Sequence, residues 1–105
     1  MRRGARRPRV HSASKAALSN LVHDWARQSR ERRFRVDLLS PGPTRTPALL
    51  RAAGPDADGF AEAVVPLGRP ADPGEIAEAA LFLASDASSF VTGAELFADG
   101  GHTRA

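Results

Sequence analysis

Between residues 17 and 26 the apolar positions Ala17, Leu18, Leu21, Val22, Trp25 and Ala26 recur three and four residues apart. That period lays one apolar stripe along a helix. Ser12 or Ser14 can cap its start by accepting a bond from an orphan backbone N–H. Cations from Arg30 to Arg33 suit the negative end of the helix dipole, so the helix is expected to end there. The next segment, Phe34 to Leu39, alternates Phe34, Val36 and Leu38 against Arg35 and Asp37, and Pro41-Gly42-Pro43 stops it. This is the pattern of a strand that runs into a loop. From Pro47 to Pro70 short apolar patches are broken by Gly54-Pro55 and Pro66-Leu67-Gly68, which predicts an irregular, mobile excursion holding one or two short helices.

Asp72-Pro73-Gly74-Glu75 then carries three start signals for a second main helix. Asp caps, Pro occupies the first turn where its missing N–H costs nothing, and Glu stands three after the cap. Ile76, Ala80, Leu83 and Ala84 mark its inner face, with Ala79, Leu81 and Phe82 widening it, so this helix is expected to be well buried. Thr92-Gly93 makes a turn, Ala94 to Ala98 a short strand, and Asp99-Gly100-Gly101 ends it. No internal repeat is visible.

Charge divides the chain. The net charge is +9 through Arg35 and −6 beyond it, which together give the +3 of the 105 residues. Residues 1–10, with five Arg among the first nine, read as a basic, disordered tail, and residues 11–105 as the folded part. Clustered Arg can neutralise phosphates, but no aromatic residue is interleaved with them to stack on bases, so a nucleic-acid role ranks last. No apolar run approaches the length needed to span a bilayer. Cysteine is absent, which excludes disulfides and thiolate metal sites and makes the cytoplasm the default expectation. No metal site is expected.

Four segments in this order resemble the C-terminal portion of a short-chain dehydrogenase/reductase. They are His11-Ser12-Ala13-Ser14-Lys15-Ala16-Ala17-Leu18, Ser40-Pro41-Gly42-Pro43-Thr44-Arg45-Thr46, Gly68-Arg69-Pro70-Ala71-Asp72-Pro73-Gly74-Glu75-Ile76-Ala77, and Val91-Thr92-Gly93 followed by Asp99-Gly100-Gly101. The resemblance implies an α/β fold: a truncated remnant of a Rossmann-like, doubly wound parallel sheet with two short strands and two main helices. In that family a Tyr and a Lys four residues later share one helix face. The Lys holds the nicotinamide ribose, and its charge favours tyrosinate, so the phenol exchanges a proton with the substrate oxygen. By this resemblance Lys15 is the lysine and His11 stands where the family has Tyr. Imidazole reaches less far than a phenol, and both Lys15 and the helix start disfavour its protonated form. Pro41, Gly42, Thr44 and Thr46 resemble the loop that contacts the cofactor, NAD or NADP, through the backbone at Thr44 and the hydroxyl at Thr46.

The chain departs from the family in two further ways. No Gly-rich fingerprint opens a helix after a strand to cradle a pyrophosphate, and the family's active-site Ser would fall before Met1. The expectation is therefore an oxidoreductase segment for a hydroxyl/carbonyl pair that is not competent alone, with a non-catalytic oligomerisation fragment or pseudoenzyme as the alternative. Strand edges and apolar helix faces without their covers favour a homo-oligomer or association with a complementary Rossmann half.

Overall fold

The structure, a computed structural model, describes residues 6–104, with the side chains of residues 6–9, 11 and 104 excepted. In chain order the elements are α1 (Arg6–Arg32), β1 (Leu38–Pro41), α2 (Pro47–Ala53), α3 (Ala57–Val64), α4 (Pro73–Ala84) and β2 (Glu95–Ala98). Short 3-10 turns occupy Gly54–Asp56, Asp86–Ser88 and His102–Arg104. β1 and β2 pair as a two-stranded parallel sheet, the α/β arrangement expected from the sequence. The chain divides into two units: residues up to Leu38 with Val91–Glu95, and Leu39–Phe90 with the residues from Leu96 onward.

In the first unit, α1 begins well before either serine expected to cap it. Arg6 to Val10, assigned from sequence to a disordered tail, are helical, and residues 1–5 of that tail lie outside the described residues. The early start carries little backbone penalty, because Pro8 falls in the first turn, where an N–H has no intrahelical acceptor. Arg30 and Arg32 occupy the last turn, as the dipole argument expects, and Arg33 closes the helix at φ 52.

The covered side of α1 is narrower than the apolar pattern and shifted from it. Val22 and Ser29 are buried and Ser19 and Ala26 half-buried, whereas Leu18, Leu21 and Trp25 are exposed. Ser19 Oγ donates to Glu95 at 3.1 Å, and a Cβ added to Gly93 would stand 3.2 Å from that of Ala26, so the helix crosses Gly93 at close range.

Residues 34–37, expected to open the first strand, are extended but do not join the ladder. One backbone bond reaches them, from Gly93 N–H to Val36 C=O at 2.7 Å, and side chains take two others that a neighbouring strand would make. Thr92 Oγ1 accepts from Val36 N–H at 3.1 Å, and Asp37 Oδ1 accepts from Ala94 N–H at 3.0 Å. Regular pairing starts where Leu38 N–H donates to Ala94 C=O at 2.8 Å.

In the second unit the buried centre is small: Ala57, Ala61, Val65, Pro70 and Ser88. The two short helices of the excursion form as the sequence suggests, Thr46 capping α2 and Pro47 filling its first turn. α4 starts at the expected place, and the Glu75 carboxylate accepts the Asp72 N–H at 3.1 Å as the return arm of a capping box. Its expected burial is not found. No residue of α4 is buried; Ile76, Ala79 and Leu83 are half-covered, and Leu81 and Phe82 are exposed. An apolar stripe records that a face wants cover, and among the described residues only part of this one finds it.

Candidate functional site

The loop leaving β1 is built by three local constraints. Gly42 N–H donates to Ala98 C=O at 3.0 Å, which holds the strand end in the ladder. Pro43 C=O accepts from Ala71 N–H at 2.8 Å, and Arg45 N–H donates to Ala71 C=O at 2.9 Å, forming a parallel bridge between Thr44 and Ala71. Thr46 then turns the chain into α2. The loop thus sits at the carboxyl end of a parallel strand, where open α/β sheets bind ligands.

Both threonines are partly engaged. Thr44 Oγ1 donates to Gly42 C=O at 2.9 Å, and Thr46 Oγ1 accepts from Leu49 N–H at 3.2 Å. A hydroxyl carries one donor and two lone pairs. Thr44 therefore keeps acceptor capacity and Thr46 keeps its proton to donate, a complementary pair two residues apart. Gly42 has a steric reason of its own: an added Cβ would lie 2.7 Å from Cα of Asp99. Pro41 is the last residue of β1 and is exposed.

Lys15 is exposed on α1, one helical turn after His11, so the two positions share a helix face. The His11 side chain lies outside the described residues. With α1 starting at Arg6, position 11 is the sixth of the helix, beyond the first turn to which the dipole effect is confined. The helix start therefore does not disfavour an imidazolium at position 11. His11 and Lys15 belong to the first unit, and Pro41, Gly42, Thr44 and Thr46 to the second.

Beside the loop, the second unit holds a cleft of about 520 Å³ lined by Pro43, Arg69, Ile76, Phe97, Asp99 and Gly101. Arg69 grips Glu75 with two parallel bonds, Nη1 to Oε1 at 2.6 Å and Nη2 to Oε2 at 2.9 Å. That fork first, and the Asp72 N–H second, hold the Glu75 carboxyl down at about 2. Asp99 is held below the usual carboxylate range by the Thr103 side chain first, and then by the N–H groups of Thr103 and Gly101, which it accepts at 2.9 Å each. The cleft's charges are thus already paired within the chain; the sequence reading gives Glu75 a capping role and Asp99 a strand end, and neither a place in a site. Arg45 was missed too: it bridges Asp58 and Asp72, residues 13 and 27 positions away, and sequence proximity carries no signal for that. Among the described residues no group of His, Cys, Asp and Glu could hold a metal, and no helix is long and apolar enough to cross a membrane.

A family model described as Enoyl-(Acyl carrier protein) reductase matches residues 1–103. Among curated proteins, the chain is 39% identical over 94 residues to 3beta-hydroxysteroid dehydrogenase 1 of Eggerthella lenta, covering 89% of this chain and 36% of that protein. It is 40% identical over 91 residues to 3-oxoacyl-[acyl-carrier-protein] reductase of Thermotoga maritima, covering 87% and 37% respectively. Among solved structures it is similar to a short chain dehydrogenase/reductase family protein, at 48% identity and TM-score 0.75 over 87% of this chain and 37% of that one. A C-terminal deletion mutant of Thermoplasma acidophilum aldohexose dehydrogenase matches at 28% identity and TM-score 0.79, over 90% and 45%. The chain spans a little over a third of the length of the curated relatives it matches.

Proposed function

The chain belongs to the short-chain dehydrogenase/reductase family, and from that premise we propose that it is the nicotinamide-side segment of an NAD(P)-dependent oxidoreductase for a hydroxyl/carbonyl pair, inactive by itself. The observation that carries this reading is the β1 exit loop, which offers a hydroxyl acceptor at Thr44 and a hydroxyl donor at Thr46. A carboxamide, with an NH₂ donor and a carbonyl acceptor, is the complement of that pair. The hydroxyls of Thr44 and Thr46, together with the Thr44 backbone that the family resemblance points to, hold the nicotinamide end; Pro41 and Gly42 set the direction in which the loop leaves the strand. When bound, the nicotinamide supplies or accepts the hydride. By the family resemblance Lys15 would take the ribose through its ammonium, and position 11 would be the acid/base position. A chain without cysteine suits a reducing cytoplasm.

These 105 residues contain no Gly-rich turn opening a helix, so nothing in them cradles the pyrophosphate that supplies much of dinucleotide affinity. Calorimetric titration of the isolated chain with NAD(H) and NADP(H) should accordingly detect no binding tighter than about millimolar, which is the level left to a few contacts. Micromolar binding would overturn the claim that the segment needs a complementary half.

A second reading has its own observation. Leu18, Leu21 and Trp25 on α1, and Leu81 and Phe82 on α4, are exposed. Such faces favour association, with a second copy or with a complementary Rossmann half. In sedimentation, a well-folded monomer at all concentrations would eliminate the association module and leave the first reading standing.

A further inference from the structure

Arg45, between the two threonines, joins the loop to two other elements of the second unit. Its Nε and Nη2 donate to Asp58 Oδ1 at 3.3 and 3.1 Å, and its Nη1 donates to Asp72 Oδ1 at 3.0 Å. Asp58 lies in the first turn of α3, and Asp72 is the cap of α4. The Arg45 backbone is itself pinned to Ala71, so the guanidinium starts from a fixed point. α2 has little else to hold it: it has no buried residue and Leu50 is exposed, whereas the buried residues of the excursion, Ala57, Ala61, Val65 and Pro70, begin only at the start of α3. Between α2 and the start of α3 lies a cavity of about 280 Å³ that Arg45, Thr46, Leu50, Pro55 and Asp58 line.

We propose that Arg45 is a positioning residue, an ionic latch that ties the α2–α3 excursion to the start of α4 and thereby fixes the two threonines flanking it. One guanidinium presents a rigid, planar fork of donors that fixes the directions of two carboxylates at once, whereas a lysine ammonium offers only a point charge with rotatable donors. A single exposed ion pair contributes little, but two that share one planar cation form a small network. The contacts are solvent-exposed, so salt loosens the latch: the screening length falls from about 10 Å at 0.1 M to about 3 Å at 1 M. Residues 47–58 are then released while α4, capped separately by Glu75, stays formed. The latch stands whether or not the loop binds a dinucleotide, because its test reads the excursion and not the cofactor.

Hydrogen exchange of the full 105-residue chain, followed by mass spectrometry, tests it. Arg45→Met keeps the stem and removes the charge; exchange across residues 47–58 should quicken roughly two- to fivefold, with α1 and α4 unchanged. Asp58→Asn should reproduce this, and Arg45→Lys should recover part of the protection. In 1 M salt the unmodified chain should behave like Arg45→Met, and Arg45→Met itself should be indifferent to salt. The latch is overturned by exchange in residues 47–58 that is unchanged in Arg45→Met or already unprotected in the unmodified chain. Equal acceleration in α1 and α4 would overturn it too, since that marks general loss of stability.

Discussion

With a dinucleotide-binding half from a family relative joined ahead of this segment, His11→Tyr is expected to raise dehydrogenase turnover by about a hundred- to ten-thousand-fold, the usual contribution of a positioned acid/base group. The basis is the spacing to Lys15. Both positions lie within the unbroken helix α1, four residues apart, so a phenol at position 11 stands beside an ammonium that favours its ionised form. Lys15→Ala in the tyrosine background should abolish the gain, because it removes both the ribose contact and the charge. Initial rates over pH 5 to 10 decide the matter. Equal turnover for the histidine and tyrosine forms, with a profile governed by an imidazole, would make His11 the working acid/base.

Gly42→Ala should cost the chain much of its stability. The added Cβ would meet both Cα and Cβ of Asp99 at 2.7 Å and its carbonyl oxygen at 3.1 Å. A backbone atom cannot move aside as the end of a flexible side chain can, and Asp99 is clamped by its bonds to Gly101 and Thr103. Relief requires breaking the Gly42 to Ala98 ladder bond or displacing the turn after β2. Overpacking of this kind costs about 1–3 kcal/mol, a large share of the roughly 5–15 kcal/mol that holds a domain folded. Gly74→Ala is the matched control, since a Cβ there meets nothing within 4 Å and lies in the first turn of α4. Urea unfolding followed by circular dichroism should show Gly42→Ala unfolding at much lower denaturant and Gly74→Ala at or above the parent midpoint. Coincident midpoints for Gly42→Ala and the parent would refute the packing argument.

The parts of the fold that the sequence discloses are those specified by neighbouring residues. Asp72, Pro73 and Glu75 announce α4 because a capping box is a four-residue device. Pro41-Gly42-Pro43 announces the strand exit for the same reason. The start of α1 is hidden because Arg6 to Val10 carry no cap and look like a solvated tail. The offset of β1 is hidden because Thr92 and Asp37 substitute side-chain bonds for ladder bonds, a choice that alternation of apolar residues does not encode. In the candidate site, the sequence marks Pro41, Gly42, Thr44 and Thr46 as the cofactor loop by resemblance but gives no steric reason for glycine at position 42. Its close approach to Asp99 spans 57 residues and becomes visible only in three dimensions. The Arg45 bridge and the Arg69 grip on Glu75 are hidden likewise, since a charge pattern does not tell which opposite charges meet.

The claim that this segment supplies the nicotinamide-side contacts of a dinucleotide site is tested most directly by calorimetric titration of NAD(H) into the joined protein described above, in four forms. The parent should bind in the micromolar range. Lys15→Ala and Thr46→Ser or Thr46→Val should separate by chemistry: loss of the ammonium or of the hydroxyl weakens binding about tenfold or more, the effect of roughly 1.4 kcal/mol, while Thr46→Ser, which keeps the hydroxyl, stays near the parent. If instead the parent binds and neither Lys15→Ala nor Thr46→Val changes the affinity, the dinucleotide is held without this segment and the assignment is contradicted.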